Sequence, residues 1–182
     1  MIYQPAVNKS WHPLYGERST VREAYNEATM YLSKKDGSNY RLNIEVRAYD
    51  EGIAFRYFFP EHPQAIFHKV VGDLTEYTFS PGAMAWAEQW AQAPFEHLAI
   101  NDIKQPVERA LTVELSNGLW VALTDADVDD WCLTKLVASP TKQNTLTSVM
   151  YSPVDIVTYY ATPWKVIMAA DKPGELLEHN DI

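Results

Sequence analysis

Apolar and polar residues alternate with a period of two along much of this chain. From Arg41 to Tyr49, Leu42, Ile44, Val46 and Ala48 interleave with Arg41, Asn43, Glu45, Arg47 and Tyr49. That is the pattern of a half-buried strand, because successive side chains leave opposite faces. Asp50-Glu51-Gly52 supplies a tight turn, with Gly52 free to take positive φ, and Ile53, Phe55, Tyr57 and Phe59 resume the alternation. Residues 41–59 therefore predict a hairpin, closed off by Pro60 and Pro63. A second hairpin follows the same logic: Leu111, Val113 and Leu115 alternate, Ser116-Asn117-Gly118 turns, and Leu119 to Thr124 returns. Further strands are predicted at 26–33, 66–71, 74–79, 131–138, 145–151, 155–161 and 164–170. Turn residues recur about every ten residues, the spacing of a β-sandwich or barrel. Only the tail reads as a helix, with Asp171 as its cap, Pro173 early, and Glu175, Leu176, Leu177 and Glu178 as helix formers. Residues 80–106 break the alternation and read as a long irregular excursion carrying Trp86, Trp90 and Phe95. Binding residues tend to sit on such a loop when a rigid sheet holds it.

Composition narrows the function. At 182 residues the chain fits one domain with a sizeable core. Its 47% apolar and 21% charged residues exclude intrinsic disorder. Aromatic residues make up 13%, which favours strands or a surface facing sugar or protein. The net charge of −9 repels phosphate backbones, so nucleic acid is not an expected partner. No run of 18 apolar residues is present to span a membrane. The opening MIYQPAVNKSWHPLYG has neither the basic nor the apolar region of a signal peptide. Cys132 is the single cysteine, which excludes an internal disulfide and a cysteine-based zinc cage; it reads as a buried, inert thiol in an apolar strand.

Signatures of chemistry are sparse. The five histidines show no paired spacing, and only His97, beside Glu96, falls in the 80–106 stretch. There is no G-x-S-x-G nucleophile elbow and no glycine-rich phosphate loop. Asp125, Asp127, Asp129 and Asp130 have the spacing that opens a calcium loop, but the glycine and distal glutamate of an EF-hand are missing, and a solvated acidic turn is the default. Trp86, Trp90 and Phe95 suit either stacking on sugar rings or packing beneath a long loop. By its residues alone this is an acidic all-β domain.

Several segments, in one order, resemble a known family. RLNIEVRAYDEGIAFRYFFPE (41–61) is similar to the signature hairpin of the N-terminal domain of glycoside hydrolase family 97, bacterial α-glucosidases and α-galactosidases. WHPLYGERSTVREAYNEATMYL (11–32), LTEYTF (74–79), AWAEQWAQAPFEHL (85–98), LWVALTDADVDDW (119–131) and TPWKVIMAADKPGELLEHNDI (162–182) resemble its later stretches, so the likeness covers about residues 11–182. Two positions depart from the pattern: Asp125 stands where relatives usually have Glu, and Trp131 where they often have Tyr.

The resemblance implies a β-supersandwich of the galactose-mutarotase kind, a single domain over 1–182 with a short C-terminal helix. It also implies that the family's opening strands are missing, which would leave open sheet edges and favour self-association. In the family this domain packs against a catalytic (β/α)8 barrel, absent here, that carries the general acid and base. The chain alone is therefore expected to be inactive, with no catalytic residue of its own. The family's site uses calcium, with one glutamate from this domain; by order and aromatic context that residue is Glu96, and Trp86 and Trp90 become candidates for substrate binding. The isolated domain is not expected to hold the ion. Expected partners are the barrel and an α-linked oligosaccharide, and the expected compartment of the parent enzyme is periplasmic or secreted. The alternative is a free-standing carbohydrate- or protein-binding β-sandwich with Trp86 and Trp90 as its platform. An independent mutarotase-like enzyme would need a histidine and carboxylate pair in one cleft, and the sequence offers no convincing one.

Overall fold

The alternating segments become strands almost throughout. The computed structural model describes residues 1–63 and 65–179. In chain order its strands are β1 (Ile2–Tyr3), β2 (Val7–Trp11), β3 (Val21–Ser33), β4 (Arg41–Ala48), β5 (Gly52–Phe59), β6 (Phe67–Val70), β7 (Glu76–Thr78) and β8 (Met84–Ala87). They continue with β9 (Glu96–Ala99), β10 (Leu111–Glu114), β11 (Trp120–Ala126), β12 (Thr134–Ala138), β13 (Thr145–Met150), β14 (Val154–Val157), β15 (Tyr160–Ala161) and β16 (Trp164–Ala170). The main sheet runs β1-β3-β4-β5-β16-β11-β10-β8-β9, with β2 also on β3 and β15 also on β5. A three-stranded sheet, β12-β13-β7, and a two-stranded one, β14-β6, complete the set among the described residues. Every pairing between these strands is antiparallel. The all-β fold predicted from the alternation is the fold observed, and of the sandwich and barrel that its spacing allowed it is the sandwich.

The core follows from the register. Leu111 and Val113 of β10, Ala85 and Ala87 of β8, and Val121 and Leu123 of β11 share one face of the main sheet and meet Tyr77, Leu136 and Leu146 of the smaller sheet. Ile100 and Ile103, in and just after a 3-10 turn at Ile100–Asp102, close one side of this cluster. On the opposite face of the main sheet, aromatic and charged residues take turns. The Arg47 guanidinium lies 4.4 Å from the ring centroids of both Tyr25 and Trp164, and Arg56 lies 4.3 Å over Trp164. Glu27 and Glu45 accept from these arginines at 2.8 and 2.6 Å. The ladder buries charge without leaving it unpaired.

Both predicted hairpins form. Gly118 turns the second with φ of 89°, as the sequence implies. Gly52 is not among the positive-φ residues; the first turn closes instead through the Tyr49 N–H donating to the Gly52 carbonyl at 2.9 Å. Other expectations need correction. The stretch 80–106 is not irregular: it contains the hairpin β8–β9. β3 starts at Val21 rather than 26, and β1 and β2 were not expected. Cys132 precedes β12 and is only half-buried, so it is not a core thiol. The tail is a single 3-10 stretch, Pro173–Leu177, capped from Lys172 rather than Asp171. Its Glu175 carboxylate accepts from the backbone N–H groups of Asp171 and Lys172, both at 3.2 Å, and Leu176 packs on Ala122 and Ala170. The family-like tail extends to residue 182, and its positions 180–182 lie outside the described residues.

Candidate functional site

The β8–β9 hairpin carries the residues singled out from the sequence. Its inner face is nearly all alanine: Ala83, Ala85 and Ala87 sit at alternate positions, so the hairpin lies close on the core. Trp86 is the cross-strand partner of His97 on the outer face, and their rings stack at 4.4 Å with 17° between planes. The His97 Nε2 atom lies 3.8 Å from the Glu114 carboxylate on the neighbouring β10. Glu96 pairs with Ala87, so its side chain leaves the opposite face of the hairpin from Trp86. It is exposed and has no ion pair or hydrogen bond among the described residues.

The connecting loop is pinned rather than loose. Lys135 of β12 donates to the Gln89 carbonyl at 2.7 Å and pairs with Glu108 at 2.7 Å, while the Glu108 N–H donates to the Glu88 carbonyl at 2.9 Å. Trp90 projects from this loop, 57% exposed, beside a cleft of 340 Å³ shared with Pro106, Lys135 and Tyr151. Trp86 is not part of that lining. The structure thus brings Trp86 to His97, and sets Glu96 and Trp90 on other aspects of the same hairpin. Phe95 is also exposed.

Glu96 suits a calcium ligand in one respect: it is a hard, unpaired oxygen donor at the rim of a fixed element. Calcium takes about six to eight such oxygens. Among the described residues no group of three or more His, Cys, Asp or Glu converges. The aspartate run does not act as one group. Asp125 faces inward from β11 to Arg109 and to the Thr134 hydroxyl at 2.5 Å, whereas Asp127, Asp129 and Asp130 are exposed in the turn beyond.

A second constellation was not foreseen. Lys165 lies on β16, fully enclosed, and pairs with a buried Asp73 from the β6–β7 connection. The Asp73 carboxylate also accepts from the Thr75 N–H at 2.9 Å and the Thr75 hydroxyl at 2.6 Å. Burial works against the charged carboxylate, but the Lys165 ammonium and the Thr75 donors outweigh it and hold the pKa below the usual value for aspartate. Beside it, Arg109 pairs with Asp125 and donates to the Ser148 hydroxyl at 2.9 Å. Tyr77, packed beneath Arg109, has its phenol pushed up to about 12 by burial. The available signal was Lys165 itself, a lone cation inside the apolar run TPWKVIM.

The antiparallel sheets define a class, an all-β sandwich domain, and comparison gives the family. The model for the glycosyl-hydrolase 97 N-terminal domain matches residues 3–182, and the chain belongs to that family. Among solved structures, a family 97 enzyme from Pseudoalteromonas sp. strain K8 in complex with panose superposes with a TM-score of 0.89 at 21% identity, over 97% of this chain and 28% of its own. A family 97 enzyme from that strain in complex with acarbose gives 0.86 at 21% identity, over 94% and 28%. A β-arabinopyranosidase gives 0.81 at 18% identity, over 93% and 31%. The chain therefore spans less than a third of each of these relatives, and likeness at this level of identity establishes the shared fold.

Proposed function

We propose that this chain is the non-catalytic N-terminal domain of an α-glycosidase, acting beside a catalytic barrel that supplies the carboxylates. It braces that barrel, walls the substrate pocket with the β8–β9 hairpin through Trp86 and Trp90, and contributes Glu96 to a calcium ion. The observation that carries the reading is an exposed, unpartnered carboxylate at the head of a strand fixed to the core, within a chain that matches the family domain over residues 3–182. A ligand offered across a domain boundary has to be rigidly placed before the partner arrives; the ladder pairing of Glu96 with Ala87 supports this, and the Lys135 contacts fix the loop that leads from β8 to it. The substrate in this reading is an α-linked oligosaccharide, the compartment is the periplasm or the exterior, and open sheet edges favour self-association.

The test is kinetic. In an intact family 97 enzyme carrying this segment, Glu96→Gln is expected to weaken calcium binding by about tenfold or more, since one charged ligand is lost. Turnover on an aryl α-glucoside should fall with it, and added calcium should restore part of the loss. Unchanged calcium affinity and turnover would overturn the role of Glu96.

A further inference from the structure

The constellation around Lys165 opens onto a cleft that the reading above does not use. The cleft has a volume of 390 Å³, within the range of about 300–1,000 Å³ typical of small-molecule sites. Its walls are aromatic and aliphatic. Tyr57 and Phe59 stand two residues apart on β5 and so share a face, joined by Leu42, their neighbour on β4. Trp131 lines the same cleft, its ring braced by Tyr160 at 5.9 Å and 22°. Tyr160 is itself tethered, its hydroxyl donating to the Asp129 and Asp130 carbonyls at 3.3 and 3.1 Å. The wall is therefore in place before any ligand arrives.

The polar floor defines the ligand. Thr75 gives its hydroxyl proton to Asp73, so in its 2.8 Å contact with Tyr57 it must accept, and Tyr57 donates. The Tyr57 oxygen is left with free lone pairs. Lys165 has three N–H groups and gives one to Asp73, which leaves donors without an acceptor among the described residues on an enclosed ammonium. The cleft thus offers a donor and an acceptor side by side, a combination matched by a hydroxyl group. Charge excludes the ionic options. Asp73 and Asp125 are balanced by Lys165 and Arg109, so an anion or cation entering the cleft would leave a buried charge uncompensated. Rings with apolar C–H faces and hydroxyl rims satisfy both the walls and the floor.

We infer that this cleft is a binding site for a neutral sugar ring, stacked on the aromatic lining of Tyr57, Phe59 and Trp131, with its hydroxyls on Lys165 and Tyr57. The site stands on the cleft's own geometry and does not depend on Glu96 or on calcium.

The experiment is a titration of this chain with glucose and with maltose, followed by NMR. The expected result is saturable shifts, in the millimolar range, at the Trp131 indole N–H and at the Thr75 and Lys165 amides. Trp131→Ala, checked for folding by circular dichroism, should weaken the maltose response by about tenfold. Silence of these resonances overturns the inference. So do shifts confined to Trp86 and Trp90, which would place the sugar on the hairpin. Acetate shifting the Lys165 resonances while both sugars stay silent also overturns it, because the site would then be an anion site. The wild-type shifts decide the matter even if the Trp131 variant unfolds, and the Glu96 experiment can fail or succeed independently.

Discussion

Asp73 and Lys165 show how much one pair of residues can carry. Both are almost wholly enclosed, and Lys165 is the direct cross-strand neighbour of Asp125 on β11 and Phe55 on β5. Removing one member of such a pair strands the other charge in an apolar setting, at a cost of about 3–5 kcal/mol. Asp73→Ala is therefore expected to lower unfolding free energy by that amount in urea titrations, and Asp73→Leu combined with Lys165→Met to recover most of it. A double variant as unstable as the single one would mean that the pair's hydrogen bonds, not the stranded charge, set the cost. The pH dependence has a definite sign. Because the folded pKa of Asp73 lies below its ordinary value, the native state binds fewer protons than the unfolded chain in acid. The stabilisation is complete above the ordinary aspartate value, about pH 4, and is lost as pH falls through the depressed folded value. Unfolding free energy measured at about pH 5 and about pH 3 should fall more steeply for the parent than for Asp73→Ala.

Elements were legible where turn chemistry and alternation agreed, and illegible where packing replaced them. The β4–β5 and β10–β11 hairpins announced themselves through turn residues flanked by apolar residues at every second position. β1 and β2 could not do so: their residues are almost all exposed, so no apolar face marks them. The β8–β9 hairpin hid for the opposite reason. Its buried face is built of alanines, small residues whose period of two at 83, 85 and 87 is a weak hydrophobic signal beside Trp86 and Trp90. The candidate site was legible in part. Trp86 and Trp90 stood out as aromatics of the 80–106 stretch and Glu96 through family likeness, but the opposed directions of Glu96 and Trp86 follow only from register. The Lys165 cleft needed four distant stretches to meet, β4–β5, residues 70–75, residues 125–131 and residues 162–165, and no spacing encodes that. At the turn of β10–β11, Gly118 has φ of 89° and no atom within 4 Å of an added Cβ, so Gly118→Ala tests backbone strain alone. The expected loss is about 1–2 kcal/mol, read as a lower denaturant midpoint with an unchanged slope. A shift of the midpoint upward would contradict the strain argument.

The molecule as a whole balances attraction against charge. Its main sheet ends at β9 on one side and at β1 and β2 on the other, all short strands, with Lys9 paired to Glu23 at 3.0 Å on the latter edge. Their shortness and that ion pair weaken, without removing, the tendency of open edges to pair with another chain. The β6–β14 ladder is different: Phe67 and Val157 stand directly opposite each other, 78% and 51% exposed. That apolar pair is a candidate contact between copies, and the net charge of −9 opposes it. Salt separates the two effects, because the screening length shrinks from about 30 Å at 0.01 M to about 3 Å at 1 M while apolar attraction persists. Light scattering is therefore expected to show a monomer at low salt and growing association as salt rises; a clean monomer throughout would remove self-association from the account. The route is decided by two variants. Phe67→Lys should abolish the salt-driven association if the patch is responsible, and Lys9→Val should enhance it if the β2 edge is, since that change removes the charge that guards the strand.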